Sequence, residues 1–445
     1  MDRNSIIGLL LIGAVLLGYT YYMAPTEAEV QAYKKQQDSI AAVELDKIKE
    51  QQITNETIIS NADTAIVGDS NDSLVLAENV SKYGIFANSA VGENEYYTIE
   101  NELIKGVVSS KGGRLVSVEL KDYKTFRGDP LILFDEDSSK FNASFYSNNK
   151  FINTENLLFD ADGSSLEVSG SDEKSLSMKL FADDRSKYVE YIYSIKGGSY
   201  VVDYQVNFVG LQDVVQENTS EIELNWSIKG LNNEKNIDTE RNTSSIFYKY
   251  QDEEVDWLSE TSADNGDFEA KMHWLSFKQQ YFSAALICNE GFDKDKADMS
   301  VKPLNSSKYT KYYETNLMLP FSRGANSSEQ MSFYFGPNHF QTLEDLNIDL
   351  EDQINLGWGI FGWMNEFVVI PVFNILDGFN WSYGIIILVL TLLIKMVLFP
   401  ITYKNYLSSA KMRVLKPEID ELNEKNKDAD AMKKQQETKI GRAHV

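Results

Sequence analysis

The chain has 445 residues, a formal net charge of −25, three histidines and one cysteine. That length can hold a sizeable soluble domain together with membrane segments. The acidic excess disfavours nucleic acid as a partner, and the lone Cys288 excludes both an internal disulfide and a cysteine-based zinc site.

In chain order the first element is a charged start, Met1 to Ser5, followed by the apolar run Ile6 to Leu17 and the tyrosines Tyr19, Tyr21 and Tyr22. A cleaved signal peptide opens the same way. However, no small-x-small cleavage site follows, and interfacial aromatic residues suit a permanent anchor, so residues 1–23 read as a transmembrane signal anchor. Residues 24–95 read as a polar helix rich in Gln, Glu, Lys and Ala. From Ile53 this passes into a flexible linker rich in Asn, Ser, Thr and Asp.

From Tyr96 the pattern changes to short strands separated by glycine or Asp/Asn turns. Leu103–Val108 and Arg114–Leu120 flank Lys111-Gly112-Gly113. Tyr188–Ile195 and Tyr200–Phe208 flank Gly197-Gly198, with β-branched and aromatic residues at alternate positions. Segments of this kind continue to about Phe335 and predict a large antiparallel β-sandwich over residues 96–345 rather than α/β units. Sugar chemistry on such a domain would need an acid and a base, and its two histidines, His273 and His339, stand in no recognisable catalytic setting. No nucleophile elbow, phosphate loop or metal-ligand spacing is present, so neither an enzyme nor a cofactor is expected. Acidic pairs such as Asp183-Asp184 and Glu253-Glu254 read as solvated turns, and Cys288 as a small buried apolar residue.

Residues 346–381 contain Leu356–Phe379, which is apolar but broken by Asn365, Glu366, Pro371 and Asn374. With Trp358, Trp363 and Trp381 alongside, the segment reads as an amphipathic helix in the outer interface, a further span being the alternative. Residues 382–403 read as the second transmembrane helix, and Lys395 lies inside it. A charge there costs on the order of 2.5–3.5 kcal/mol, so it either snorkels to the surface or faces a hydrated cavity, a partner or a substrate path. At roughly 100° per residue, Lys395 lies about 40° from Thr391 and Thr402 about 20° from it, one narrow polar stripe on an oily helix. Pro400 reads as a kink at the helix end. Lys404, Lys411, Arg413 and Lys416 follow and place that end in the cytoplasm, hence both termini there and the residues between about 24 and 360 outside. Residues 404–439 read as the start of a cytoplasmic helical hairpin with a turn at Asn426-Lys427-Asp428. Residues 440–445 break the pattern and read as an artefactual tail.

This apolar helix with one inner cation, its Phe399-Pro400-Ile401-Thr402 end, and the segment Ala410-Lys411-Met412-Arg413-Val414-Leu415-Lys416-Pro417 resemble the YidC/Alb/Oxa family of membrane protein insertases. Tyr97–Asp137 resembles the start of that family's periplasmic domain. The resemblance implies a mutarotase-like super-sandwich, an interfacial helix and a mobile cytoplasmic hairpin, in a multi-pass protein of the bacterial inner membrane. It implies nascent membrane proteins as substrates, the lipid bilayer as their destination, Sec translocon components and the ribosome as partners, and no cofactor. Lys395 would be the charge of a hydrophilic groove, Thr391 and Thr402 its polar lining, and Pro400 the kink.

Two departures stand out. The family's groove cation is commonly arginine, and lysine replaces its rigid fork of donors with a point charge. The family also uses about five core spans, whereas this sequence stops inside the hairpin; it is expected to be a truncated chain and inactive by itself. A rival reading is a membrane-anchored β-sandwich that binds or modifies glycans, which calls for convergent carboxylates and aromatic platforms. A third is a structural partner whose sandwich docks on Sec components.

Overall fold

The structure is a computed structural model that describes residues 70–216, 219–321, 326–379, 381–425 and Gln436. The expected N-terminal anchor, the polar helix, the hairpin turn at 426–428 and the tail at 440–445 lie outside these residues.

Alternation decides which way each strand faces. Tyr188–Lys196 buries Val189, Tyr191, Tyr193 and Ile195, and its partner Val201–Val209 buries Val202, Tyr204, Val206 and Phe208. The two pair antiparallel from Tyr188 against Val209 to Ile195 against Val202, the hairpin expected from the sequence. The other expected hairpin is also present, between Ile104–Ser109 and Leu115–Lys124. Its turn needs glycine at position 113. There φ is +62°, and an added Cβ would lie 2.7 Å from the Phe159 ring.

Strands pair into two facing layers. One runs in the order Lys150–Asn153, Ser139–Ser147, Glu221–Leu231, Tyr309–Pro320 and then the second half of Phe282–Pro303. The other runs from the first half of that same strand through Asn326–Pro337, Val201–Val209, Tyr188–Lys196 and Glu173–Phe181 to Asp160–Asp162. Phe282–Ile287 pairs with Asn326–Pro337, and Asp298–Pro303 pairs with Tyr309–Pro320. A register shift between Asp293 and Asp298 separates the two halves, with positive φ at Gly291 and Lys296. One long strand therefore belongs to both layers. A further sheet of five strands, Tyr96–Glu100 to Pro130–Phe134 with Leu166–Glu167, packs alongside. Its Tyr96–Glu100 and Leu166–Glu167 strands form a parallel pair in otherwise antiparallel pairing.

The core between the layers is aromatic. Phe141 meets Tyr204 and Phe333, each at 5.4 Å between ring centroids, and Trp226 stacks on Phe277 at 4.2 Å. Phe134 of the five-stranded sheet meets Phe335 at 5.8 Å. Such rings bury large apolar areas, and each pair adds about 0.5–1.5 kcal/mol beyond burial.

The linker reading is corrected at its C-terminal end. Ser70–Tyr83 is helical and Gly84–Ala90 forms a 3₁₀ turn. Phe86 is fully buried against Phe145, while the Ser89 hydroxyl donates to the Phe181 carbonyl and Asn88 to Asp183. Two apolar residues, Ile85 and Phe86, are enough to dock a segment whose polar composition masks them.

After the last long strand, the short helical turns Phe340–Glu344 and Leu350–Gln353 cap the outer face of the second layer. Leu343 and Leu350 pack there on Trp274, Ala285 and Tyr334. The Trp274 indole N–H donates to the Ile348 carbonyl at 2.8 Å. The chain then enters the helical stretch Ile360–Met364, Asn365–Val369 and Ile370–Asp377, and finally the 43-residue helix Tyr383–Lys425.

Candidate functional site

By length and composition, two stretches among the described residues can cross a membrane: Ile360–Asp377 and the apolar part of Tyr383–Lys425. They meet where the Phe373 and Tyr383 rings lie parallel, 6.2 Å apart. Beyond that point the long helix buries Ile386 and is otherwise mostly exposed, as a helix of this hydrophobicity is when its natural surroundings are lipid or further helices.

Thr391, Lys395 and Thr402 lie on this helix, on one face, as their spacing requires. The Thr391 hydroxyl donates to the Ile387 carbonyl at 2.7 Å, and that of Thr402 donates to the Leu398 carbonyl at 2.9 Å. Each donor is thus satisfied four residues back, which lets a hydroxyl sit in apolar surroundings while its oxygen stays free to accept. The Lys395 ammonium has no hydrogen bond or ion-pair partner among the described residues. These three residues share one face of the helix, which is what the helical spacing of their positions sets. Pro400 is corrected: it does not end the helix, which carries both Pro400 and Pro417 in its interior. A proline removes one backbone donor, and a long apolar helix tolerates that loss where its flanking bonds persist.

The preceding stretch is locally unwound. Asn365–Val369 adopts a π-turn just ahead of Pro371, and the Asn365 side-chain amide donates to the Leu356 carbonyl at 2.7 Å. An inserted residue of this kind offsets the missing proline donor and rotates the apolar face. Trp358, Ile360, Phe361, Trp363 and Phe367 are exposed there.

In the sandwich, His339 Nδ1 lies 2.9 Å from the Thr342 hydroxyl, and no cluster of three or more His, Cys, Asp or Glu side chains suited to a metal occurs among the described residues. Cys288 is buried, which pushes its thiol up to about 11 and leaves it unreactive at neutral pH. The sequence reading missed a buried charged group beside the short helix Ile237–Asn242. Glu240 is buried and accepts from the backbone N–H groups of Asn233 and Glu234, yet burial raises its carboxyl to about 7. Lys311 is fully buried; its ammonium donates to the carbonyls of Ser244 and Glu260, both at 2.7 Å, and burial lowers it to about 8. Lys278 donates to the Thr243 carbonyl at 3.0 Å. These contacts fasten Thr243, Ser244 and Glu260 to the strands that carry Lys311 and Lys278. The sequence did carry one signal: Lys311 shares the inward parity of Tyr313, Thr315 and Leu317.

Two regions of the chain match known families. The profile of the YidC periplasmic domain matches residues 96–370, and that of the 60Kd inner membrane protein matches residues 375–440. The membrane protein insertase YidC of Parabacteroides distasonis is 35% identical over 453 residues, covering 98% of this chain and 69% of that protein. Its namesake from Bacteroides fragilis strain YCH46 is 34% identical over 444 residues, covering 98% and 68%. Among solved structures, the galactose mutarotase related enzyme of Lactobacillus acidophilus is similar over 54% of this chain and 97% of its own, with a TM-score of 0.34 and 10% identity. A galactose mutarotase-like protein of Lactobacillus casei gives the same TM-score and identity.

Proposed function

Since the chain belongs to the YidC family of membrane protein insertases, we propose that it serves the insertion and folding of integral membrane proteins in the bacterial inner membrane, through a hydrophilic groove whose one positive charge is Lys395. The β-sandwich lies on the periplasmic side and the apolar helices lie in the bilayer. The observation that carries the groove reading is the unpartnered Lys395 ammonium on the same face as Thr391 and Thr402, in a helix otherwise made for lipid.

Three properties follow from that arrangement. An ammonium in a low-dielectric groove attracts acidic residues in the hydrophilic tail of an incoming segment. The Thr oxygens offer acceptor sites along the same path, while the apolar flanks let the transmembrane part move sideways into lipid. Partitioning of that part into the bilayer supplies the free energy, so no nucleotide or other cofactor is needed. Nascent membrane proteins are the substrates in this reading, with Sec translocon components and the ribosome as working partners. The groove's remaining walls come from further spans of a multi-pass protein.

The test is an insertion assay in proteoliposomes, made with the chain completed by the further spans of the groove and with substrates whose translocated tails differ only in acidic residues. Lys395→Arg is expected to retain activity. Lys395→Glu is expected to lower insertion of the acidic-tailed substrate about tenfold, the effect of roughly 1.4 kcal/mol of lost or reversed attraction. Full activity of Lys395→Glu would refute the electrostatic role.

A further inference from the structure

The sandwich meets the membrane-directed helices at a cleft that the sequence presents as a solvated acidic turn. One wall is the hairpin of Ser245–Tyr250 and Val255–Trp257, where Phe247 and Trp257 stack at 5.7 Å with 20° between ring planes. The facing wall is the start of the apolar helical stretch, where Trp358 and Trp363 stand exposed. Between them lies a cavity of about 650 Å³.

Three carboxylates also line this cavity. Glu254, Asp352 and Glu366 have no side-chain hydrogen bond or ion-pair partner among the described residues. A fourth acid, Glu260, is compensated by Lys278, whose ammonium lies 3.6 Å away. Gln353 is fully buried in the cavity wall. Its amide oxygen accepts from the Ser276 hydroxyl at 2.9 Å, while its amide nitrogen, a donor, has no partner. The indole N–H groups of Trp257, Trp358 and Trp363 likewise meet no acceptor among the described residues. Partial burial and the neighbouring acids Asp349 and Glu254 raise the Asp352 carboxyl, with Lys249 opposing them.

The chemistry selects the ligand. Aromatic faces and uncompensated carboxylates together favour an organic ammonium, whose charge the ring quadrupoles and the acids both stabilise. A neutral glycan would stack on the rings but leave Glu254 and Glu366 without a counter-charge. A hard metal ion would make no use of the rings. The unused donors, indole N–H groups and the Gln353 amide, call for phosphate or ester oxygens beside that ammonium. The adjoining helix presents Ile360, Phe361 and Phe367 outward. We propose that this cleft holds the ammonium headgroup of a zwitterionic phospholipid of the outer leaflet and fixes the sandwich to the membrane surface through it.

The proposal does not depend on Lys395, and its test separates the two. The full chain, purified in detergent, is mixed with equimolar palmitoyl-oleoyl phosphatidylethanolamine and phosphatidylglycerol, and retained lipids are counted by native mass spectrometry. The expected first adduct is phosphatidylethanolamine, favoured about tenfold, as a desolvated cation–π contact implies. Glu254→Gln combined with Trp257→Ala, both at exposed positions, is expected to bring that preference close to unity with an unchanged circular-dichroism melt. Lys395→Glu is expected to keep it. Equal retention of the two lipids, or a double variant with the original preference, overturns the proposal. So does displacement of phosphatidylethanolamine by equal concentrations of free ethanolamine, which assigns the cleft to small amines, or of maltotriose, which assigns it to glycans.

Discussion

Buried charges in the sandwich are held mainly by backbone groups rather than by one another. Lys311 and Lys278 donate to carbonyls, and Glu240 accepts from amides. This arrangement has a pH consequence for Glu240. Its carboxyl titrates near 7 in the folded chain, above the ordinary carboxylate range, because burial penalises the charged form. The protonated form is therefore the one the fold favours. The stability this provides is complete below the unfolded value and is lost as pH rises through about 7. Glu240→Gln keeps an acceptor for Asn233 but cannot ionise. It is expected to flatten the fall in stability between pH 5 and pH 8, by an amount on the order of 3 kcal/mol at most, and with it the fall in melting temperature. Melting curves of the two proteins at both pH values check this, and parallel curves would refute it. In the sequence only Lys311 revealed its burial, through strand parity. Glu240 sits in a six-residue helix too short for any periodic signal, and Glu254 looks like part of an ordinary turn until the fold brings Trp257 and Trp363 to one cleft.

At the scale of elements, the hairpins were legible because alternation and a Gly-Gly turn act within twenty residues of sequence. The Gly113 turn makes a sharp test. Gly113→Ala combines an unfavourable positive φ with a contact of 2.7 Å to Phe159, whose ring is itself packed on Tyr191 at 4.8 Å. A loss of about 1–3 kcal/mol is expected in denaturant unfolding, because both the strain and the overpacking oppose the native state. A midpoint unchanged from the parent would mean that the turn relaxes freely. The segment Ile360–Asp377 was legible as apolar but not in detail: composition does not encode its π-turn at Asn365–Val369 or the hydrogen bond from Asn365 to the Leu356 carbonyl. The polar stripe on the long helix was legible in full, since helical spacing alone puts Thr391, Lys395 and Thr402 on one face. The continuation of the helix through Pro400 was not, because proline's local preference to end a helix is overridden in long apolar segments.

For the whole molecule, an antiparallel sandwich could be read from the density of short strands, but its strand order could not. The decisive element, Phe282–Pro303, pairs with one layer through its first half and the other through its second, and nothing in its composition marks the crossing. Sharing that strand makes the two layers interdependent. Thermal unfolding followed by tryptophan fluorescence, which reports on Trp226 and Trp274 in the core, and by far-ultraviolet circular dichroism is expected to give one coincident transition. Two separated transitions would show that the layers melt independently.

The unbroken course of the final helix carries a mechanical meaning. At about 1.5 Å per residue its 43 residues extend roughly 64 Å, against a hydrocarbon thickness of about 30 Å. In the proposed membrane setting, about half of the helix therefore extends beyond the bilayer, continuous in its helical course with the half that carries Lys395. A rotation of the inner half by ten degrees swings the tip of a roughly 32 Å arm by about 5–6 Å. A small reorientation of the half that carries Lys395 is thereby converted into a displacement large enough to be felt by anything resting on the far end of the helix.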